Sequence, residues 1–265
     1  MVDTFDFGAF KQYEIKKENI GAILLDVDAL DTNGSVCAIS DLNRIRIDLS
    51  IKRENREPLV IYKGFLQNLL NVKYQQSTQL ELVLQKLDSG YKILLSMGAF
   101  PYTLFGEDKL IVDLNFPKEA FTSCTNGSVT IETIAADELN NSGAVQVYED
   151  FIVVTGKSAF DENIGSDISA VLLEVDNSQS YDTSTLAKPV DVDIIARGDY
   201  TKKQTQNSLI AQNTHMLHYN PESEVKNLWL YKSNSKLLND ATLRIKFDKA
   251  VGVNSIIQVE RLVFS

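Results

Sequence analysis

Glu18-Asn19-Ile20-Gly21-Ala22-Ile23-Leu24-Leu25-Asp26-Val27-Asp28 decides the fold of this chain, because the chain says it twice. The second statement is Glu162-Asn163-Ile164-Gly165, then Ser166-Asp167-Ile168-Ser169, then Ala170-Val171-Leu172-Leu173-Glu174-Val175-Asp176. The opening tetrad is identical, and after a four-residue insertion the apolar run and its acidic ending return. The offset is 144 at the start (162 − 18) and 148 at the end (176 − 28), more than half of the 265 residues. Self-similarity at so long a period indicates a tandem duplication of one domain, not a solenoid of short repeats.

Working outward from the first copy, Arg44-Ile45-Arg46-Ile47-Asp48-Leu49-Ser50-Ile51 alternates strictly, as a strand with one wet face should. Residues 59–62, 91–96, 110–114 and 129–134 read as further strands, and Phe65-Leu66-Gln67-Asn68-Leu69-Leu70 has helical spacing. Residues 80–84 fit strand or helix equally, and Asp88-Ser89-Gly90 reads as a turn. The second half repeats the plan. Strands are expected over 145–148, 151–155, 171–175, 190–194, 228–230, 243–247 and 257–260, with a helical pattern over 207–219. Leu228-Trp229-Leu230 answer Ile93-Leu94-Leu95, an offset of 135 (228 − 93). The run 112–120 is echoed by 243–250, and Val129-Thr130-Ile131-Glu132 by Ile257-Gln258-Val259-Glu260, an offset of 128 (257 − 129). Offsets that shrink steadily are what insertions and deletions in loops produce.

The polar, breaker-rich stretch Asp137-Glu138-Leu139-Asn140-Asn141-Ser142-Gly143 reads as the linker, giving domains at 1–140 and 141–265. Roughly eight short strands per half fit an all-β architecture of two tandem jelly-roll β-sandwich domains, each with one short embedded helix.

Composition narrows the function. Hydrophobic residues make up 44% and charged residues 23%, an ordinary globular balance that supports a sizeable core. A net charge of −10 with a pI near 4.8 argues against direct binding to nucleic acid. The two cysteines, Cys37 and Cys124, match no disulfide framework, zinc spacing or redox pair, and read as reduced, partly buried thiols. Met1-Val2-Asp3-Thr4-Phe5-Asp6 lacks the basic and apolar regions of a signal peptide, and no apolar run reaches the ~18 residues of a membrane-spanning helix. A soluble product made in a cytoplasm is expected.

No catalytic constellation emerges. Thr155-Gly156-Lys157-Ser158 imitates the end of a phosphate-binding loop, but Phe151 stands where that motif needs glycine, so a turn after a strand is the better account. His215 and His218 share one face of the expected helix, with no carboxylate or cysteine in it to complete a metal set. Asp26, Asp28 and Asp31, followed by Asn33-Gly34, form an acidic turn that fails as an EF-hand, with Leu30 at the third ligand position and Cys37 at the twelfth. These three aspartates are the candidate ligands for a hard cation such as structural calcium; no other cofactor is expected. Asp191 and Asp193 read as outward polar residues of one strand face, not as a catalytic carboxylate pair. Lys52-Arg53 and Lys202-Lys203 read as solvated clusters at matching strand ends.

Two tandem β-domains, the repeated Glu-Asn-Ile-Gly entry and a helix midway through each half resemble the double jelly-roll major capsid proteins of tailless, membrane-containing icosahedral viruses (the corticovirus/tectivirus-like lineage). The segment 44–70 carries most of the likeness, and the size resembles the corticovirus type. That resemblance implies a virion capsid protein, made in the host cytoplasm, whose homotrimers form pseudo-hexagons tiling a shell. Its implied partners are further copies of itself, minor capsid and vertex proteins, and the viral membrane beneath; no catalytic or cofactor site is implied. Two other readings start from the same fold. A tandem carbohydrate-binding or adhesion module should show exposed aromatics, yet the one tryptophan, Trp229, sits in an apolar run. A doubled jelly-roll enzyme of the bicupin kind needs several histidines per active domain, and the chain has two in total.

Overall fold

The computed structural model describes residues 2–6, 9–16, 19–37, 45–54, 56–66, 68–69, 84–86, 90–97, 100–116, 126–136, 143–175, 187–197, 200–205, 207–208, 228–232, 237–252 and 254–264. The strands of the first half are β1 (Val2–Asp6), β2 (Ala9–Lys16), β3 (Asn19–Asp28), β4 (Arg46–Lys52), β5 (Leu59–Phe65), β6 (Leu84–Lys86), β7 (Gly90–Ser96), β8 (Tyr102–Thr103), β9 (Lys109–Phe116) and β10 (Asn126–Ala135). Those of the second are β11 (Ala144–Val153), β12 (Ala159–Gly165), β13 (Ile168–Glu174), β14 (Pro189–Ala196), β15 (Tyr200–Thr205), β16 (Leu228–Lys232), β17 (Ala241–Phe247) and β18 (Ser255–Phe264). They divide into two compact units, Met1–Val147 with Phe264–Ser265, and Tyr148–Val263. Among the described residues no helix is long and apolar enough to cross a membrane.

Both units are wired identically. In the first, one sheet runs β1-β10-β3-β7, with short β6 and β8 added, and the other runs β2-β9-β4-β5. In the second, the orders are β11-β18-β13-β16 and β12-β17-β14-β15. Counting the main strands of each unit in chain order, both give 1-8-3-6 and 2-7-4-5, the double Greek key of a jelly roll. Among the described residues the strand ladders are antiparallel, so each strand alternates between a buried and a wetter face. The alternation in sequence is the cause: Ile47, Leu49 and Ile51 of β4 are buried, while Asp48 and Ser50 between them and Arg46 and Lys52 beyond them are not. In the second unit Val171 and Leu173 of β13, Val192 and Ile194 of β14, Leu243 and Ile245 of β17, and Ile257 and Val259 of β18 join one core drawn from both sheets. Burying one such aliphatic side chain contributes roughly 1.5–3 kcal/mol.

The duplication is real, but its alignment differs at the decisive stretch. Leu25 of β3 pairs with Ile131 and Ile93, and Leu173 of β13 pairs with Ile257 and Trp229. The third strands therefore correspond at an offset of 148 (173 − 25), the sixth at 136 (229 − 93) and the eighth at 126 (257 − 131). The last two differ by one and two residues from the echoes seen in sequence. The identical tetrads do not correspond at all. Asn19-Ile20-Gly21 opens β3, whereas Asn163-Ile164-Gly165 closes β12, one strand earlier in the plan. The true counterpart of Asn19-Ile20-Gly21-Ala22 is Asp167-Ile168-Ser169-Ala170. Ile20 and Ile168 are both fully buried, and each third strand carries a ladder irregularity at the same place, Gly21 or Ser169, opposite the eighth strand.

The expected helices begin where each fifth strand ends. Leu66, Asn68 and Leu69 are helical after β5, and Asn207 and Ser208 after β15, where Ser208 N–H donates to Thr205 Oγ1 at 3.4 Å as at a helix N-cap. The rest of both helical patterns, with His215 and His218, lies outside the described residues, as do residues 80–83 and all but Gly143 of the linker. Among the eight main strands of each unit the sequence reading missed four in all, β1, β2, β12 and β15, and it also missed the two-residue β8. Three of these, β2, β12 and β15, are edge strands of the 2-7-4-5 sheets, where charged side chains thin the apolar pattern. It also split β11, which runs unbroken through Glu149 and Asp150.

Candidate functional site

The wet faces of the two 2-7-4-5 sheets can be compared rank by rank, because the ladders put equivalent residues opposite one another. In the second unit the first rank is Ala159, Lys246, Asp191 and Thr205, and the next is Asp161, Arg244, Asp193 and Lys203. The second of these alternates in charge. Arg244 Nε lies 3.1 Å from Asp161, and Lys203 Nζ 4.0 Å from Asp193. Asp191 and Asp193 thus sit on the outward face, as their spacing predicts, within a solvated charge lattice.

The first unit fills the same positions differently. Its first rank is Phe10, Asn115, Arg46 and Phe65, with the Arg46 guanidinium 5.5 Å from the centre of the Phe65 ring. The next is Gln12, Asp113, Asp48 and Lys63, where Gln12 donates to Asp113 at 2.8 Å and Lys63 lies 3.5 Å from Asp48. Then come Glu14, Ile111, Ser50 and Val60, and finally Lys16, Lys109 and Lys52 on three adjacent strands. Three lysines in one rank repel one another. Beyond that rank an open cleft of about 590 Å³ lies among Arg53, Arg56, Tyr102, Phe105, Glu107 and Gly143; no histidine or cysteine lines it.

The candidate cation ligands each have a protein partner. Asp26 lies 3.8 Å from Lys92, Asp28 accepts from Ser128 Oγ at 3.1 Å, and Asp31 accepts from the amides of Asn33 and Ser35 at 2.8 and 2.9 Å. Asp31 thereby closes its own turn, with Gly34 at φ 77. Among the described residues no group of three His, Cys, Asp or Glu side chains is placed to hold a metal ion. Thr155-Gly156-Lys157-Ser158 forms the expected turn: Lys157 N–H donates to the Val154 carbonyl at 3.1 Å, with Gly156 at φ 87. The two basic clusters do not occupy matching strand ends. Lys52 ends a fourth strand and Lys203 lies inside a fifth, where its counterpart is Lys63, each pairing an aspartate of strand four.

Comparison with known proteins adds a whole-chain likeness. No family model and no curated protein matches the sequence. Among solved structures, the major capsid protein of Sulfolobus turreted icosahedral virus superposes over 100% of this chain and 97% of its own, at TM-score 0.66 and 12% identity. A structure of the virus itself gives 0.64 at 11% identity, covering 100% of this chain and 89% of the other. The chain is a double jelly roll. The major capsid protein of bacteriophage PM2 shares the fold as well, at TM-score 0.54 and 10% identity over 99% of this chain and 97% of its own.

One expectation about the first jelly roll is overturned. Cys37 is not a reduced thiol; it is buried and disulfide-bonded, and Cys124 is the one other cysteine in the sequence. Topology supplies the reason. Asp28 at the end of β3 pairs with Ser128 near the start of β10, so the chain leaving one strand and entering the other does so at the same end of the sheet. The cysteines stand 87 positions apart (124 − 37), and no spacing rule sees across that distance.

The lysine rank of the first jelly roll has one direct counter-charge. Lys109 Nζ lies 2.9 Å from Glu14 Oε2, and this hydrogen bond, helped by the neighbouring Lys16 and Lys52, holds the Glu14 carboxyl below its ordinary value; the same bond raises Lys109. A lowered carboxylate contributes stability above its unfolded value, about 4.3, and loses it as pH falls through the folded value. The raised lysine keeps its share until pH climbs past about 10.4. Glu14→Gln is therefore expected to be less stable than the parent in urea at about pH 6, with the gap closing below about pH 4. A gap of constant size across that range would contradict the assignment.

Proposed function

We propose that this chain is a major capsid protein of a tailless icosahedral virus. Three copies close into a ring of six jelly rolls, and such rings tile the shell. The observation that carries the reading is the end-to-end superposition on viral major capsid proteins, with both units and nearly all of the other chain included. The physics of the duplication supports it. A closed threefold ring needs heterologous contacts, the front of one subunit against the back of the next, and two similar but unlike units per chain give near-sixfold packing from three chains.

On this reading the working parts are side surfaces and loops, not a pocket, and the double jelly roll builds a shell instead of turning over a substrate. Further copies of itself are its first partners, with minor capsid and vertex proteins and an internal membrane as the others. A net charge of −10 leaves contact with the genome to other components. Synthesis takes place in the host cytoplasm, and the Cys37 disulfide suits a particle that later meets oxidising surroundings.

Negative-stain electron microscopy of the purified protein tests this. Six-lobed rings of near-hexagonal outline are expected. Isolated two-lobed particles at every concentration would contradict the reading.

A further inference from the structure

We propose that the wet face of the β2-β9-β4-β5 sheet in the first jelly roll is a docking surface for a second copy of this chain. The inference rests on the capsid reading and deepens it by naming the face.

The chain contains its own control. The β12-β17-β14-β15 sheet has the same topology and register logic, and its wet face is polar and charge-compensated. At matching positions the first jelly roll has Phe10 where the second has Ala159, and Phe65 where the second has Thr205. Phe10 is 60% exposed, Phe65 41% and Val60 55%, all on one face. Among the described residues, no large exposed hydrophobic belongs to the second jelly roll's corresponding sheet. Single exposed apolar residues are ordinary, but here one phenylalanine stands on each edge strand of the face, with Val60 two ranks from Phe65, and the duplicate has none of the three.

Charge selects the occupant. The same face carries the Lys16-Lys109-Lys52 rank, with Glu14 as the carboxylate hydrogen-bonded to it, and Arg46 beside Phe65. In the second jelly roll acidic and basic residues alternate along the rank and cancel. A locally basic, partly aromatic face on a chain of net charge −10 is complementary to another copy of that acidic chain.

The test is sedimentation equilibrium of the full chain and of two variants. Phe10→Ala with Phe65→Thr installs the residues the second jelly roll already uses. Lys52→Glu reverses one charge of the rank at an exposed strand end. Thermal unfolding is followed in parallel. Self-association weakened roughly tenfold for each phenylalanine removed is expected, with unchanged unfolding temperature. Lys52→Glu is expected to weaken association at low salt and to flatten its salt dependence. If the double variant misfolds, Lys52→Glu carries the test alone. A parent that self-associates while both folded variants associate just as tightly would overturn the assignment of this face and leave the capsid reading standing. A parent that never leaves the monomer would overturn both.

Discussion

Gly90→Ala is expected to cost the first jelly roll about 3 kcal/mol or more and to lower its unfolding temperature by roughly 10 °C. Gly90 is buried at the start of β7, directly opposite Asp28 of β3. A Cβ at this position would fall on the carbonyl oxygen of Val27 and against the Asp28 Cα, backbone atoms that no rotamer change can move aside. Relief requires β3 and β7 to separate at the point where β3 is also held by β10. The strand that must give way is the one carrying Ile23, Leu25 and Val27 into the core. Gly252→Ala is the matched control, because a Cβ there meets nothing within 4 Å. Differential scanning calorimetry of both variants decides the matter. An alanine at 90 that melts within a degree or two of the parent would show that the β3–β7 contact is not as close as described.

Reduction of the disulfide is expected to have the second large effect. Cross-linking positions 37 and 124 closes a loop of 87 residues (124 − 37) in the unfolded chain. On the chain-entropy account a loop of that length is worth about 4.5 kcal/mol. Within a unit of this size that corresponds to a fall on the order of 10 °C in the unfolding temperature on adding reductant. The native contacts around Cys37 do not depend on the bond: its amide donates to the Ala29 carbonyl at 3.0 Å, and its own carbonyl accepts from Tyr91 Oη at 2.7 Å. Reduced protein should therefore keep its strand signature at low temperature while melting earlier. Thiol titration of the unreduced, denatured chain gives the direct check. It should find no free thiol, and two per chain would contradict the bond.

The duplication and the β-sandwich class were legible in the sequence because they rest on the central strands. Runs such as Ala22–Val27 and Ala170–Val175, flanked by pairing partners on both sides, must be apolar enough to be recognised in any register. What could not be read is whatever depends on register. The tetrad Glu-Asn-Ile-Gly occurs twice, yet Asn19 bridges Thr103 and the Ala136 carbonyl while Asn163 caps the Gly165 amide in a turn. Identical letters serve different strands there, and the real equivalence, Ile20 with Ile168, continues the offset of 148 carried by the apolar run, where Asn19 and Gly21 face Asp167 and Ser169 instead of their own copies. Gly90 looked like a turn residue, although close backbone approach is what requires it. The face proposed for docking is assembled from β2, β9, β4 and β5, whose residues lie up to about a hundred positions apart, so Lys16 and Lys109 become neighbours only through the ladder. The polar edge strand β2 was hidden, since Lys11 to Lys16 alternates around only Tyr13 and Ile15.

The most direct test of the central claim is the mass of the intact protein in solution, by size-exclusion chromatography with light scattering. A closed ring of six jelly rolls predicts a single species at three times 29.6 kDa. A single species at 29.6 kDa across the accessible concentration range would contradict it.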